Sequence, residues 1–284
     1  LGILVPPSIN LIIYGLLTDT SVPELYLAGI FPGIALTLLF MGVIAFACLS
    51  RQGLDGDKVK TTWASRIRVL PDLLPPVLLF IAVVGSIYAG IATPTEAASI
   101  GVCFALMIAA WNKALNIEML KRAFEGTMRS TAMIMLIILA AVFLNFVLGF
   151  MGVTQTILDA IKELSWTPMQ TMLVIICFYL LLGMFMETLS MMLTTIPVVF
   201  PIVMFLGFDP VWFGIMITVL MEAALITPPI GINLYIVHGI RARGGEFNDV
   251  SFGAAPFLLG MFFLIALLLV FPNLALWLPQ FVYH

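Results

Sequence analysis

The sequence predicts an all-α, polytopic membrane protein with inverted-topology repeats, discontinuous helices and a re-entrant hairpin. Three observations predict it. Of 284 residues, 62% are hydrophobic and 10% charged, and mean hydropathy is +1.18. So few charges do not cover the surface of a soluble domain of this length. Apolar runs long enough to cross a hydrocarbon core of about 30 Å recur along the chain. Two distant stretches also share a proline pair in apolar sequence with an asparagine shortly after, Gly2-Ile3-Leu4-Val5-Pro6-Pro7-Ser8-Ile9-Asn10-Leu11 and Leu225-Ile226-Thr227-Pro228-Pro229-Ile230-Gly231-Ile232-Asn233-Leu234. Proline removes a backbone donor and clashes with the preceding turn. Two in succession break a helix, and lipid admits broken backbone only where protein or a cavity surrounds it.

Residues 1–18 read as the outgoing arm of the first broken helix, ended by the polar stretch 18–24. With no initiator methionine, signal peptide or basic flank, a chain starting inside this element implies a missing upstream portion. A span is expected over 25–49, then the most polar segment, 50–70. Spans over 73–91 and 96–111 follow, joined by Ala92-Thr93-Pro94-Thr95. Thr93 with proline at the first helical position predicts an N-cap, so Glu96 reads either as a helix-start carboxylate or as an intramembrane transport acid. Residues 112–129 read as an amphipathic interfacial helix, 130–150 as a span and 154–166 as a second interfacial helix. In 167–206 a polar cluster, Glu187-Thr188-Leu189-Ser190, sits between two apolar arms with no basic loop, which predicts the re-entrant hairpin. The second broken helix covers 211–240, and the last span 257–278.

Basic residues set the topology. Residues 50–70 hold Arg51, Lys58, Lys60, Arg66 and Arg68; 112–129 hold Lys113, Lys121, Arg122 and Arg129; 241–243 hold Arg241 and Arg243; only Lys162 lies elsewhere. The positive-inside rule puts these three groups in the cytoplasm and the C-terminus in the periplasm. The two broken helices then run in opposite directions, the mark of an inverted repeat. Paired broken helices of this kind point to the binding site of a secondary transporter. A net charge of −3, with 12 basic residues confined to short loops, argues against a nucleic-acid partner. Cys48, Cys103 and Cys177 stand singly in apolar stretches and read as buried, inert thiols.

A broken helix exposes carbonyls at one end and N–H groups at the other, and these attract cations and anions respectively. Ser8, Asn10, Thr188, Thr227 and Asn233 add neutral oxygens, a donor set suited to a hard alkali cation. Gly2, Gly183 and Gly231 permit close backbone approach. Among the intramembrane acids, Glu187 is the candidate for an ion or substrate cavity. Glu222, about one and a half turns before Thr227, supports the break. His238 reads as interfacial, and His284 is isolated. The 17 methionines read as apolar filling, with Met184, Met186, Met191 and Met192 offering a sliding surface around Glu187.

Four motifs together, Gly2-Ile3-Leu4-Val5-Pro6-Pro7-Ser8, Gly90-Ile91-Ala92-Thr93-Pro94-Thr95-Glu96-Ala97-Ala98, Gly183-Met184-Phe185-Met186-Glu187-Thr188 and Ile226-Thr227-Pro228-Pro229-Ile230-Gly231-Ile232-Asn233-Leu234-Tyr235, closely resemble the large, DctM-like membrane subunit of tripartite ATP-independent periplasmic (TRAP) transporters. The resemblance runs essentially to the C-terminus. It implies sodium-coupled import of an organic acid across the bacterial inner membrane, with a small membrane subunit and a periplasmic binding protein as partners and Na+ as the coupling ion, without another cofactor. It further implies an elevator-type transport domain (1–24 and 167–240), scaffold-type spans (25–166) and a closing loop and span (241–284). By resemblance, Glu187, Thr188, Thr227, Pro228, Gly231 and Asn233 surround one sodium site, while Pro6, Pro7, Ser8 and Asn10 form half of another. Dicarboxylates, sialic acids and keto acids all suit the class. A stand-alone sodium/organic-anion symporter of related fold would instead transport without a binding protein. A channel would show flux without ion coupling. An intramembrane hydrolase is disfavoured because no plausible nucleophile–base pair is present.

Overall fold

Helix boundaries fall where the sequence supplies caps and breakers. The structure is a computed structural model that describes residues 2–50, 62–241 and 245–283, the side chains of 64–66 apart. Among them there is no strand, and the helices run in order α1 (Ile9–Thr18), α2 (Val22–Ser50), α3 (Trp63–Val69), α4 (Leu74–Tyr88), α5 (Pro94–Trp111), α6 (Ile117–Phe150), α7 (Val153–Glu163), α8 (Pro168–Gly183), α9 (Thr188–Phe205), α10 (Pro210–Leu225), α11 (Ile232–Ile240), α12 (Phe247–Val270) and α13 (Asn273–Tyr283). Among the described residues six helical stretches are long and apolar enough to cross a membrane: α2, Ile67–Tyr88, α5, α6, α9 and α12. Of the expected cytoplasmic loops, residues 51–61 and 242–244, with Arg51, Lys58, Lys60 and Arg243, lie outside the described residues, as does His284.

Caps explain most starts. Thr93 and Glu96 form a reciprocal capping box at α5, with Thr93 N donating to Glu96 Oε2 at 2.8 Å and Glu96 N to Thr93 Oγ1 at 3.3 Å. Thr167 and Gln170 repeat the device at α8. Asp209 opens α10 by accepting from Val211 N and Trp212 N at 2.8 and 3.0 Å. Glu96 is therefore a helix-start carboxylate, as its neighbours predict.

Two compact units divide the chain, one of Leu1–Phe46 and Ile137–His284, the other of Ala47–Leu136. In the second unit α4 and α5 pack as a helical pair, burying Val84, Ile87 and Ala97. In the first, α10 is the centre: of its 16 residues only Pro210 and Glu222 are not buried. A helix apolar all round must be enclosed, and α1, α8, α9, α12 and α13 enclose it. Lipid supplies little hydrophobic drive for helix association, so close packing of small residues matters more. A Cβ on Gly214 would lie 2.6 Å from the Tyr14 ring, and one on Gly29 2.7 Å from Leu4 O.

Several expectations need correction. The segment 112–129 is not a separate interfacial helix, because α6 runs unbroken from 117 to 150. No proline or cap interrupts it at Arg129, and i,i+4 pairs Glu118–Arg122 and Lys121–Glu125 support its polar start. The last span is α12, starting ten residues earlier than expected at a Glu246–Asp249 capping box and ending at Val270 before Pro272; α13 is a separate short helix. Arg66 and Arg68 lie in α3 rather than in an irregular loop. Cys103 and Cys177 are exposed and Cys48 half-buried. In a chain this apolar, a hydrophobic neighbourhood in sequence is as often lipid-facing as interior.

Candidate functional site

The second broken helix stops for a stated reason at each residue. Pro228 and Pro229 bring no N–H, so the helical ladder ends at the last turn of α10. There Ile226 N and Thr227 N donate to Ala223 O and Ala224 O at 3.2 and 3.1 Å. The Thr227 hydroxyl folds back and donates to Ala223 O at 2.8 Å, so its oxygen retains acceptor capacity. Gly231 resumes the chain in the left-handed region at φ 50°, opening α11 without a side-chain cap. A Cβ there would lie 3.1 Å from Thr227 O and 3.2 Å from Leu225 O. With Leu234 Cδ1 at 3.0 Å from the same point, these two carbonyl oxygens crowd the space a side chain would take, which reserves the position for glycine.

The hairpin tip reaches the same place. A Cβ on Gly183, the last residue of α8, would lie 2.3 Å from Ala224 Cβ, so the tip rests on the final turn of α10. Glu187 caps α9, accepting from Ser190 N at 3.2 Å and from the Thr188 hydroxyl at 2.9 Å. Glu187 is exposed and Thr188 buried. Gly183 thus meets the turn of α10 that leads into the break at 226–231, and Glu187 and Thr188 follow it at the start of α9. Asn233, with Glu222 and Ile226, lines an adjoining cleft of about 530 Å³ whose far side carries the Arg241–Asp249 ion pair at 3.1 Å. Met191 and Met192 are fully buried and pack as apolar filling in this conformation.

The first break forms a region of its own. Ser8 caps α1, accepting from Leu11 N at 3.4 Å while donating to Ile3 O. Tyr26 of α2 donates to Ser8 O at 3.5 Å. Asn10 is 4% exposed, and its Nδ2 has no partner. Gly29, which touches Leu4 O, also lies beside Ile215, about 16 Å along α10 from Ile226. The hydrogen bonds of Ser8 stay with Ile3, α1 and α2 rather than reaching the second set. What joins the two broken elements is Tyr14: its hydroxyl donates to Pro210 O at 2.7 Å, and its ring meets Phe200 and Phe213 edge-on.

Sequence reasoning passed over Tyr14, the Arg241–Asp249 pair and Asn145. Tyr14 carried no signal beyond being an aromatic residue in a span. Asp249 stands three residues after Glu246, a legible capping pattern. Asn145, an amide inside an apolar run, carried the signal that any polar group at membrane depth carries.

Comparison with known proteins agrees with this architecture. Residues 1–274 match the family model described as the tripartite ATP-independent periplasmic transporter, DctM component. The sialic acid TRAP transporter large permease protein SiaM of Vibrio cholerae is 31% identical over 284 residues, covering 99% of this chain and 65% of that protein. The C4-dicarboxylate TRAP transporter large permease protein DctM of Pseudomonas aeruginosa is 32% identical with the same coverage. The ectoine/5-hydroxyectoine large permease UehC of Ruegeria pomeroyi is 30% identical, over 100% of this chain and 65% of its own length. The chain thus spans about two-thirds of the length of these relatives. Two proline-broken helices, the second entered through the buried central helix α10, with a family match over nearly the whole chain, identify it as a member of the DctM component family of TRAP transporters, a family of transporters rather than enzymes.

Proposed function

We propose that this chain belongs to the large membrane subunit of a sodium-coupled importer of an organic acid in the bacterial inner membrane. In this reading a periplasmic binding protein delivers the substrate and a small membrane subunit completes the transporter. The observation that carries it is the break at 226–231. Leu225 O and Thr227 O both approach Gly231, Thr227 and Asn233 flank the break in sequence, and the hairpin tip packs on Ala224 in the turn before it. These are hard, neutral oxygens, which suit an alkali cation. Among the described residues no group of three or more His, Cys, Asp or Glu offers a softer or more highly charged site. The names of the relatives, covering sialic acid, C4-dicarboxylates and ectoine, support a small organic solute as cargo. The elevator mechanism belongs to this proposal, with α8 and α9 as the hairpin that moves beside the break.

The test uses the complete transporter in proteoliposomes with its binding protein. Thr227→Ala and Asn233→Ala should each raise the sodium concentration for half-maximal uptake about tenfold, the loss of one ligand worth about 1.4 kcal/mol. Substrate capture by the binding protein should be unchanged. Sodium activation identical to wild type in both variants would remove the ion assignment. Uptake that persists without the binding protein would favour the stand-alone symporter.

A further inference from the structure

Pro197 lies inside α9 and has no N–H to offer the carbonyl four residues earlier, that of Leu193. In lipid a carbonyl stripped in this way has no water to turn to. It is met by another helix: Asn145 Nδ2 of α6 donates to Leu193 O at 3.0 Å. Only the amino end of an amide can serve a carbonyl, which fixes how Asn145 is turned. Its other end is idle, since Oδ1 is buried with no hydrogen-bond partner. A buried acceptor left unmet is unfavourable, and an apolar residue of similar size would avoid that penalty. The asparagine is explained by the bond it makes.

Little else holds this part of α6. Of its 34 residues only Ala141 is buried, one turn before Asn145. Leu148, on the same stripe at i+3 from Asn145, lines an apolar cavity of about 370 Å³ shared with α7, α8 and α9. Leu193 itself is five residues beyond Thr188, about 8 Å along α9 from the hairpin tip.

We propose that Asn145 is a tether. Its hydrogen bond to the carbonyl that Pro197 strips holds the outgoing arm of the hairpin on α6 in this conformation, and breaking it accompanies movement of the tip. The proposal rests on the transport reading only in expecting the hairpin to move. Asn145 acts through α9 and is a positioning residue, with no contact to cargo or ion.

A thermodynamic cycle tests it. The full-length protein carries Phe185→Cys at the exposed hairpin tip, with its native cysteines replaced by serine, and the labelling rate of that single thiol is followed. Asn145→Leu should change the rate about fivefold, as expected for one lost hydrogen bond biasing two states. In a Pro197→Ala background, where the restored N–H serves Leu193 O within α9, the same Asn145→Leu change should fall below about twofold. Leu148→Ala, which loosens the same stripe without touching the bond, should leave the rate near wild type and does not depend on how Pro197→Ala folds. Equal effects of Asn145→Leu in both backgrounds, no effect in either, or a Leu148→Ala shift as large as that of Asn145→Leu would overturn the tether. Uptake measured in parallel tests the transport reading separately, because the labelling ratio needs no transport.

Discussion

Gly183 shows how much one missing methyl group decides. Its Cβ would lie 2.3 Å from Ala224 Cβ, and neither atom is the end of a flexible chain that can swing away. Gly183→Ala must therefore push the hairpin tip off α10. The expected destabilisation is about 1–3 kcal/mol, typical of overpacking, and Ala224→Gly in the same chain should restore part of it. Thermal unfolding in detergent checks both, with Gly126→Ala, which meets nothing within 4 Å, as the control that leaves the melting temperature unlowered. Sequence showed that a glycine before a polar turn marks close approach. It did not show what Gly183 approaches, because Ala224 is 41 residues away and nothing in local spacing selects it.

Between elements, the contact that matters most is α1 on α10. Asp209 secures the α10 start, and Tyr14 donates to Pro210 O one residue later, so the two proline-broken elements meet at one capped helix end. Tyr14→Phe keeps the ring packing against Phe200 and Phe213 and removes only the hydrogen bond. It should cost about 1 kcal/mol, whereas Asp209→Ala should cost about 1 kcal/mol through the cap alone. The double variant should depart from additivity, since both act on the same turn, and thermal unfolding of the four proteins measures it. The breaks at Pro6-Pro7 and Pro228-Pro229 were legible in sequence because proline chemistry is local. The continuity of α6 was not, since a polar segment joined to an apolar one reads as two elements when no neighbour is visible. Charge pairs at i,i+4 then hold the polar half in the same helix.

For the complete protein the proposed orientation is itself testable. Segments 50–70, 112–129 and 241–252 are assigned to the cytoplasm and the C-terminus to the periplasm on the basic-residue count. A thiol introduced as Tyr283→Cys in a cysteine-free background should react with an impermeant maleimide in intact spheroplasts. Reaction only in inside-out vesicles would reverse the orientation. The exposed apolar residues on α2, α4, α5 and α6 fit either lipid or the proposed small subunit.

By itself the sequence determined the membrane class, the two breaks, the cap at Thr93, and the neutral oxygen donors placed beside the breaks. Each depends on composition or on chemistry within a few residues. Tertiary structure decided what those residues share. It sets the hairpin tip on the last turn of α10, and it packs Leu4 O, just before the first break, on Gly29 beside Ile215 of the same helix. It buries Met191 and Met192 while exposing Cys103 and Cys177. It also brings Asn145 to a carbonyl 48 residues later in the chain. The physical reason is that in a membrane protein nearly every face is apolar. Hydropathy then no longer separates interior from exterior, and only close packing and the pairing of backbone groups freed by proline select the neighbours.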